Sequence, residues 1–114
     1  MERDARAFLW DVQQATFAIE RFIKGMDATS YADNDLVRSA VERQFEIIGE
    51  ALNRLSKIAP DLAHEIPGLR EIIGFRNILI HGYASVDHGR LWQIAIHLVP
   101  ELRVTVTAML TRLS

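Results

Sequence analysis

The chain contains no cysteine, which removes disulfide frameworks, thiolate nucleophiles and thiolate metal sites together. Only three prolines and six glycines interrupt its 114 residues, so long continuous elements are possible. It also lacks an excess of either charge: 13 Lys and Arg against 15 Asp and Glu leave a formal net charge of −2. A polyanion-binding bias spread over the whole surface is therefore excluded, and any nucleic-acid contact has to be local. No apolar run approaches the roughly 20 residues of a membrane span. The start, MERDARAFLW, lacks the uninterrupted apolar core of a secretory signal. The expectation is a cytoplasmic protein that does not enter a membrane, with one domain over residues 1–114 and a single hydrophobic core.

What is present is helical patterning almost throughout, without repeats or low-complexity tracts. A first helix is expected over about residues 2–24, with Phe8, Val12, Ala15, Ile19, Phe22 and Ile23 on one stripe and Gly25 as its cap. The polar stretch DATSYADND reads as a loop, with Asp33 to Asp35 as N-cap candidates for the next helix. That helix, residues 36–59, buries Val37, Val41, Phe45, Ile48, Leu52 and Leu55, and Pro60 ends it. After the connector PDLAHEIPG comes a short helix over residues 69–80, closed near Gly82. Ser85 or Asp87 opens the last helix, which carries Leu91, Ile94, Leu98, Leu102, Val106, Met109 and Leu113, with a kink or break at Pro100. The fold class is all-α, a small bundle of four to five helices.

Within the short helix, RNILIHGY (76–83) puts an arginine, a histidine and a tyrosine into an apolar stretch. At about 100° per residue, Arg76 falls in the middle of the arc of Leu69, Ile72, Ile73, Leu79 and Ile80. Asn77 and His81 share another side with Arg70, while Tyr83 projects near Arg76 if the helix persists that far. Arg76 alone is read most simply as the partner of a carboxylate on the preceding helix, Glu46 or Glu50. Alternatively, the apolar arc lies at a subunit interface and the guanidinium meets an anion there. His81 alone suits a helix C-terminus, and Tyr83 alone a core edge with a wet hydroxyl. Taken together, the three suit phosphodiester chemistry on RNA: the histidine moves a proton, the arginine meets charge growing on phosphate, and no metal is needed.

These residues resemble a known signature. Arg76-Asn77, three apolar residues and His81 match the R-polar-x3-H motif of HEPN domains, and His81-Gly82-Tyr83 completes the R-x4-H-x-Y form of HepT toxins. FEIIGEALNRLS (45–56), IPGLREIIGFRNILIHGYASVD (66–87) and LWQIAIHLVPEL (91–102) are similar to the family's flanking segments. The resemblance implies the toxin of a two-gene toxin–antitoxin system, a homodimer in which two motifs face each other and form an endoribonuclease site without metal or cofactor. His81 would be the general acid or base, Arg76 the phosphate contact and Asn77 the helper that orients them. The products would carry 2′,3′-cyclic phosphates. The implied partner is a minimal nucleotidyltransferase antitoxin that transfers AMP from ATP onto Tyr83. Arg76 and His81 sit about 140° apart on a helix, so two chains join what one chain separates. A catalytically silent subunit that binds and orients the nucleotidyltransferase is the alternative, and a plain dimerisation bundle a third.

Trp10 and Phe17 lie off the main stripe of the first helix, near Arg6, Gln14 and Arg21. Packing under the loop or against the last helix is the simpler expectation; contact with an antitoxin, a second protomer or an RNA base is the other. Glu42, Glu46 and Glu50 repeat every four residues, but the interleaved Arg43, Arg54 and Lys57 suggest an ion-paired helix face. His64, His88 and His97 are scattered, and no metal site is assigned.

Overall fold

Asp4 starts the first helix by accepting the Ala7 backbone N–H on its carboxylate at 3.0 Å, which satisfies one of the donors a helix N-terminus leaves open. The structure, a computed structural model, describes residues 4–81 and 86–114. Helix α1 spans Ala5–Ile23, and Gly25 follows with φ of 80°, the left-handed turn that glycine adopts without steric cost. Its stripe lies in the core, with Leu9, Val12 and Ile19 fully buried. Phe22 is only partly covered and lies under the Arg21 guanidinium, 5.8 Å from the ring centroid.

The polar stretch expected as a loop contains a short helix, α2 (Ala28–Ala32). Asp27 and Ser30 cap it reciprocally, each side chain taking the other's backbone N–H. One of its residues is also anchored from afar: Tyr31 is fully buried, with its ring 5.3 Å from that of Trp92. Helix α3 (Asp35–Ile58) follows, capped by Asn34. It buries five of the six positions expected from its period, and Val37 stays half-exposed at its first turn. Pro60 ends α3 as its missing N–H requires, and then opens a single turn, α4 (Pro60–Ala63), inside the expected connector.

Helix α5 (Leu69–His81) carries the motif. Asp87 caps α6 (His88–Gln93) by accepting the Arg90 N–H; Ser85, the other candidate for that role, lies outside the described residues, as does Gly82. A π-helical turn (Ile94–Leu98) joins α6 to α7 (Val99–Leu113). This turn is how the chain accommodates Pro100: the Val99 N–H reaches back five residues to Ile94 O, so the ladder widens just before the residue that has no N–H to give. The rod His88–Leu113 is long and apolar enough to cross a bilayer by length and composition, yet Leu91, Val99, Leu102, Val106 and Met109 pack into the core.

Helix α1 packs between α3 and α7, and α5 lies on the other flank of α3. Polar ties fix the layers: Gln13 Nε2 donates to Thr107 Oγ1 at 3.0 Å, and Arg103 Nε to Glu20 Oε1 at 2.6 Å. Among the described residues there is no strand, and the architecture is the all-α bundle expected.

Candidate active site

Helix α5 is an apolar helix left largely uncovered. Of its 13 residues only Ile72 and Leu79 are buried, because its main contact is with α3 alone. Its outer face shows Arg70, Gly74, Asn77, Ile78 and His81, all exposed, with Ile78 at 44%. The wheel therefore assigned the faces correctly: Arg76 turns inward onto α3, and Asn77 and His81 share the outer edge with Arg70.

The inward turn of Arg76 depends on a glycine. Gly49 is buried in the middle of α3, and the arginine's aliphatic stem lies directly across it. A Cβ built on Gly49 would stand 2.4 Å from Arg76 Cβ and 3.1 Å from Cγ, so only a residue without a side chain permits this approach. Its signal in the sequence is the glycine's position inside a 24-residue helix, where it costs about 1 kcal/mol relative to alanine.

Past Gly49, the guanidinium reaches Glu50: Arg76 Nη2 is 2.6 Å from Glu50 Oε2. Of the two carboxylates expected to compete for Arg76, Glu46 is held by Arg43 at 3.1 Å instead. Glu50 is shared, because its Oε1 accepts from Arg54 Nε at 2.7 Å. The Arg54 hydrogen bond, with Arg76 adding to it, holds the Glu50 carboxyl below its ordinary value of 4.5, so the glutamate is anionic at neutral pH. On its other side Arg76 Nη1 donates to Asn77 Oδ1 at 3.2 Å. Arg76 Nε is buried and has no hydrogen-bond partner among the described residues.

Arg76 and Asn77 are thus brought together and anchored to α3, with Arg54 as an unanticipated neighbour. His81, the last residue of α5, is exposed and shares no hydrogen bond with Arg76 or Asn77 among the described residues. Tyr83 lies outside the described residues. The other tyrosine, Tyr31, is fully buried, and burial, with Glu42 adding to it, pushes its phenol up to about 12. Among the described residues no three His, Asp or Glu side chains gather where they could hold a metal ion. Trp10 does not pack as expected. It is 54% exposed, and Phe17 stands beside Gln14, Arg21 and Lys24 on the same outer face of α1, because the ties from α1 to α7 run through Gln13 and Glu20 and leave that face open.

A family model described as Ribonuclease HepT-like matches residues 12–109. The chain is 36% identical over 107 residues to a protein of Methanocaldococcus jannaschii that bears the provisional name of an RNase, covering 92% of this chain and 95% of the relative. A protein of Thermococcus cleftensis named "Probable ribonuclease HepT" is 33% identical over 103 residues, covering 90% and 93%. A third relative, from Caldanaerobacter subterraneus and also provisionally named an RNase, is 33% identical over 101 residues, covering 89% and 88%. No solved structure gives a significant match.

Proposed function

The chain belongs to the HepT-like ribonuclease family, and on that footing we propose that it is a metal-independent endoribonuclease, the toxin of a two-gene toxin–antitoxin system in the cytoplasm. The observation that carries this is the division of labour on α5: a cation anchored through Gly49 and Glu50, and a histidine exposed on the adjacent edge. In the reaction His81 takes the proton of an RNA 2′-hydroxyl, and the 2′-oxygen attacks the neighbouring phosphorus. The 5′-oxygen leaves with a proton from an imidazolium, which gives a 2′,3′-cyclic phosphate and a 5′-hydroxyl. Arg76 stabilises the charge that builds on the non-bridging oxygens, and Asn77 keeps its guanidinium in plane with them.

Two α5 helices face to face complete the site, since the histidine and arginine of one chain point to different sides. The half-covered apolar residues of α5, with Gly74 and Ile78 on its outer face, supply the surface for a second copy. The partner nucleotidyltransferase silences the enzyme by AMP transfer: the Tyr83 phenol oxygen attacks the α-phosphorus of ATP and pyrophosphate leaves. The buried hydroxyl of Tyr31, the chain's other tyrosine, is inaccessible to such a transfer. AMP on Tyr83, seven residues after Arg76 in the sequence, adds bulk and negative charge that compete with RNA phosphate for the motif's cation.

The test is expression of the chain alone, and of Arg76→Ala and His81→Ala variants, followed by mapping of RNA ends. Ends bearing 2′,3′-cyclic phosphate that vanish with either substitution are expected. The Arg76–Glu50 ion pair also suits a catalytically silent subunit that only orients the nucleotidyltransferase. In that case neither substitution alters growth or RNA integrity.

A further inference from the structure

Resting on the ribonuclease function proposed above, we propose that Arg54 is a second phosphate-binding residue, so that the seam between α3 and α5 takes two neighbouring phosphates of one RNA strand. Both oxygens of Glu50 are occupied, Oε1 by Arg54 and Oε2 by Arg76. One carboxylate therefore holds two guanidinium groups side by side, and the cluster keeps one uncompensated positive charge. The next acid along the ridge cannot cancel it, because Glu46 is occupied by Arg43.

The arginines differ in what they have left to offer. Arg76 is mostly covered, with 25% of its side chain exposed, whereas Arg54 is 63% exposed. Arg54 uses only Nε on Glu50. Its two terminal NH2 groups donate to no group among the described residues, and they present the planar fork that binds phosphate bidentately. Lys57, one turn further along α3, is exposed and has no ion pair among the described residues, so positive potential continues along the ridge. As a stability device the arrangement is poor. A surface pair four residues apart on a helix contributes little, and the second arginine on the same carboxylate repels the first. An anionic strand lying over the seam relieves that repulsion. Glu50 then acts as a positioning residue that fixes the spacing of the two cations.

The experiment measures binding and cleavage separately. A fluorescein-labelled single-stranded oligoribonucleotide made uncleavable by 2′-O-methyl groups is titrated with the full chain, with Arg54→Ala, with Arg54→Lys and with Glu50→Gln, across a series of salt concentrations. Cleavage of the unmodified strand is followed in parallel, and circular dichroism verifies folding. Arg54→Ala is expected to weaken binding roughly tenfold and to flatten the dependence of log K on log salt by about 0.7, the value of one lost phosphate contact on a single strand. KM rises while kcat holds. Arg54→Lys keeps the salt slope, because the charge remains. Glu50→Gln tightens binding but lowers kcat, a split that a merely structural glutamate does not produce. Unchanged affinity and salt slope in Arg54→Ala, in a chain that cleaves RNA, overturns this proposal and leaves the ribonuclease function standing. A parent chain that neither binds nor cleaves RNA overturns both.

Discussion

Arg76 crosses α3 at Gly49, and the two residues approach so closely that a Cβ on the glycine would lie 2.4 Å from the arginine's own Cβ. Both atoms belong to helix frameworks, so no side-chain rotation relieves the clash. Gly49→Ala gains about 1 kcal/mol in helix propensity, but separating α5 from α3 costs about 1–3 kcal/mol of packing. Net destabilisation is expected in urea unfolding, together with a loss of RNA cleavage larger than the stability change explains, because Arg76 moves with α5. A variant as stable and as active as the parent would show that this crossing is not needed.

Glu50 supplies a pH dependence whose sign follows from its partners. Its carboxyl is held below 4.5, first by the Arg54 hydrogen bond and then by Arg76. A group with a depressed folded value stabilises the fold above its unfolded value and loses that contribution as pH falls through the folded one. Glu50→Gln should therefore lower Tm by a few degrees at most near pH 7, since the pair is partly solvated. The difference from the parent should close below 4.5. A gap undiminished at about pH 3 would assign the effect to shape rather than charge.

Tyr31 is fully buried, and its hydroxyl has no hydrogen-bond partner among the described residues. Tyr31→Phe keeps the ring against Trp92 and removes an unsatisfied polar atom, so stability should stay level or rise by about 1 kcal/mol. Tyr31→Ala, which deletes the aromatic pair and leaves a cavity, should cost about 3–5 kcal/mol. Thermal unfolding of the two variants decides this, and destabilisation of the phenylalanine variant by more than about 1 kcal/mol would reveal a hidden partner for the hydroxyl.

Ile78 stands 44% exposed on the outer face of α5, one helical turn from Gly74. If two copies meet there, Ile78→Asp places a carboxylate in an apolar contact and should weaken dimerisation at least about tenfold. Light scattering across a dilution series reads the change, and loss of nuclease activity should track it. A parent chain that remains monomeric at high concentration, or stays fully active when dilute, would remove the composite site.

If the proposed AMP transfer controls the enzyme, Tyr83→Phe should leave RNA cleavage close to that of the parent while making it indifferent to the proposed nucleotidyltransferase and ATP. Mass spectrometry of the co-incubated proteins should find one or more added AMP groups on the parent and none on the variant. Silencing of the variant by partner and ATP would move control to another residue.

Helix boundaries, caps and the faces of α5 were legible in the sequence because they depend on neighbours. Asn34 and Asp87 each bond a backbone N–H three residues on, and Arg76, Asn77 and His81 take their directions from a helix's fixed rotation. The first helix, expected from about residue 2, instead starts at Ala5 behind the Asp4 cap. The helix at Ala28–Ala32 was missed because burial of Tyr31 against Trp92, sixty-one residues away, adds to its capping. Whether Arg76 would find Glu46 or Glu50 was equally beyond periodicity, since both occupy the same ridge of α3. The crossing of α5 at Gly49 decided it, bringing the guanidinium to Glu50 and making Arg54 its neighbour. Sequence alone determined which way each side chain points along its own helix. What stands opposite was decided only by tertiary structure, because contact between helices depends on where two surfaces can approach, and here that depended on one missing Cβ.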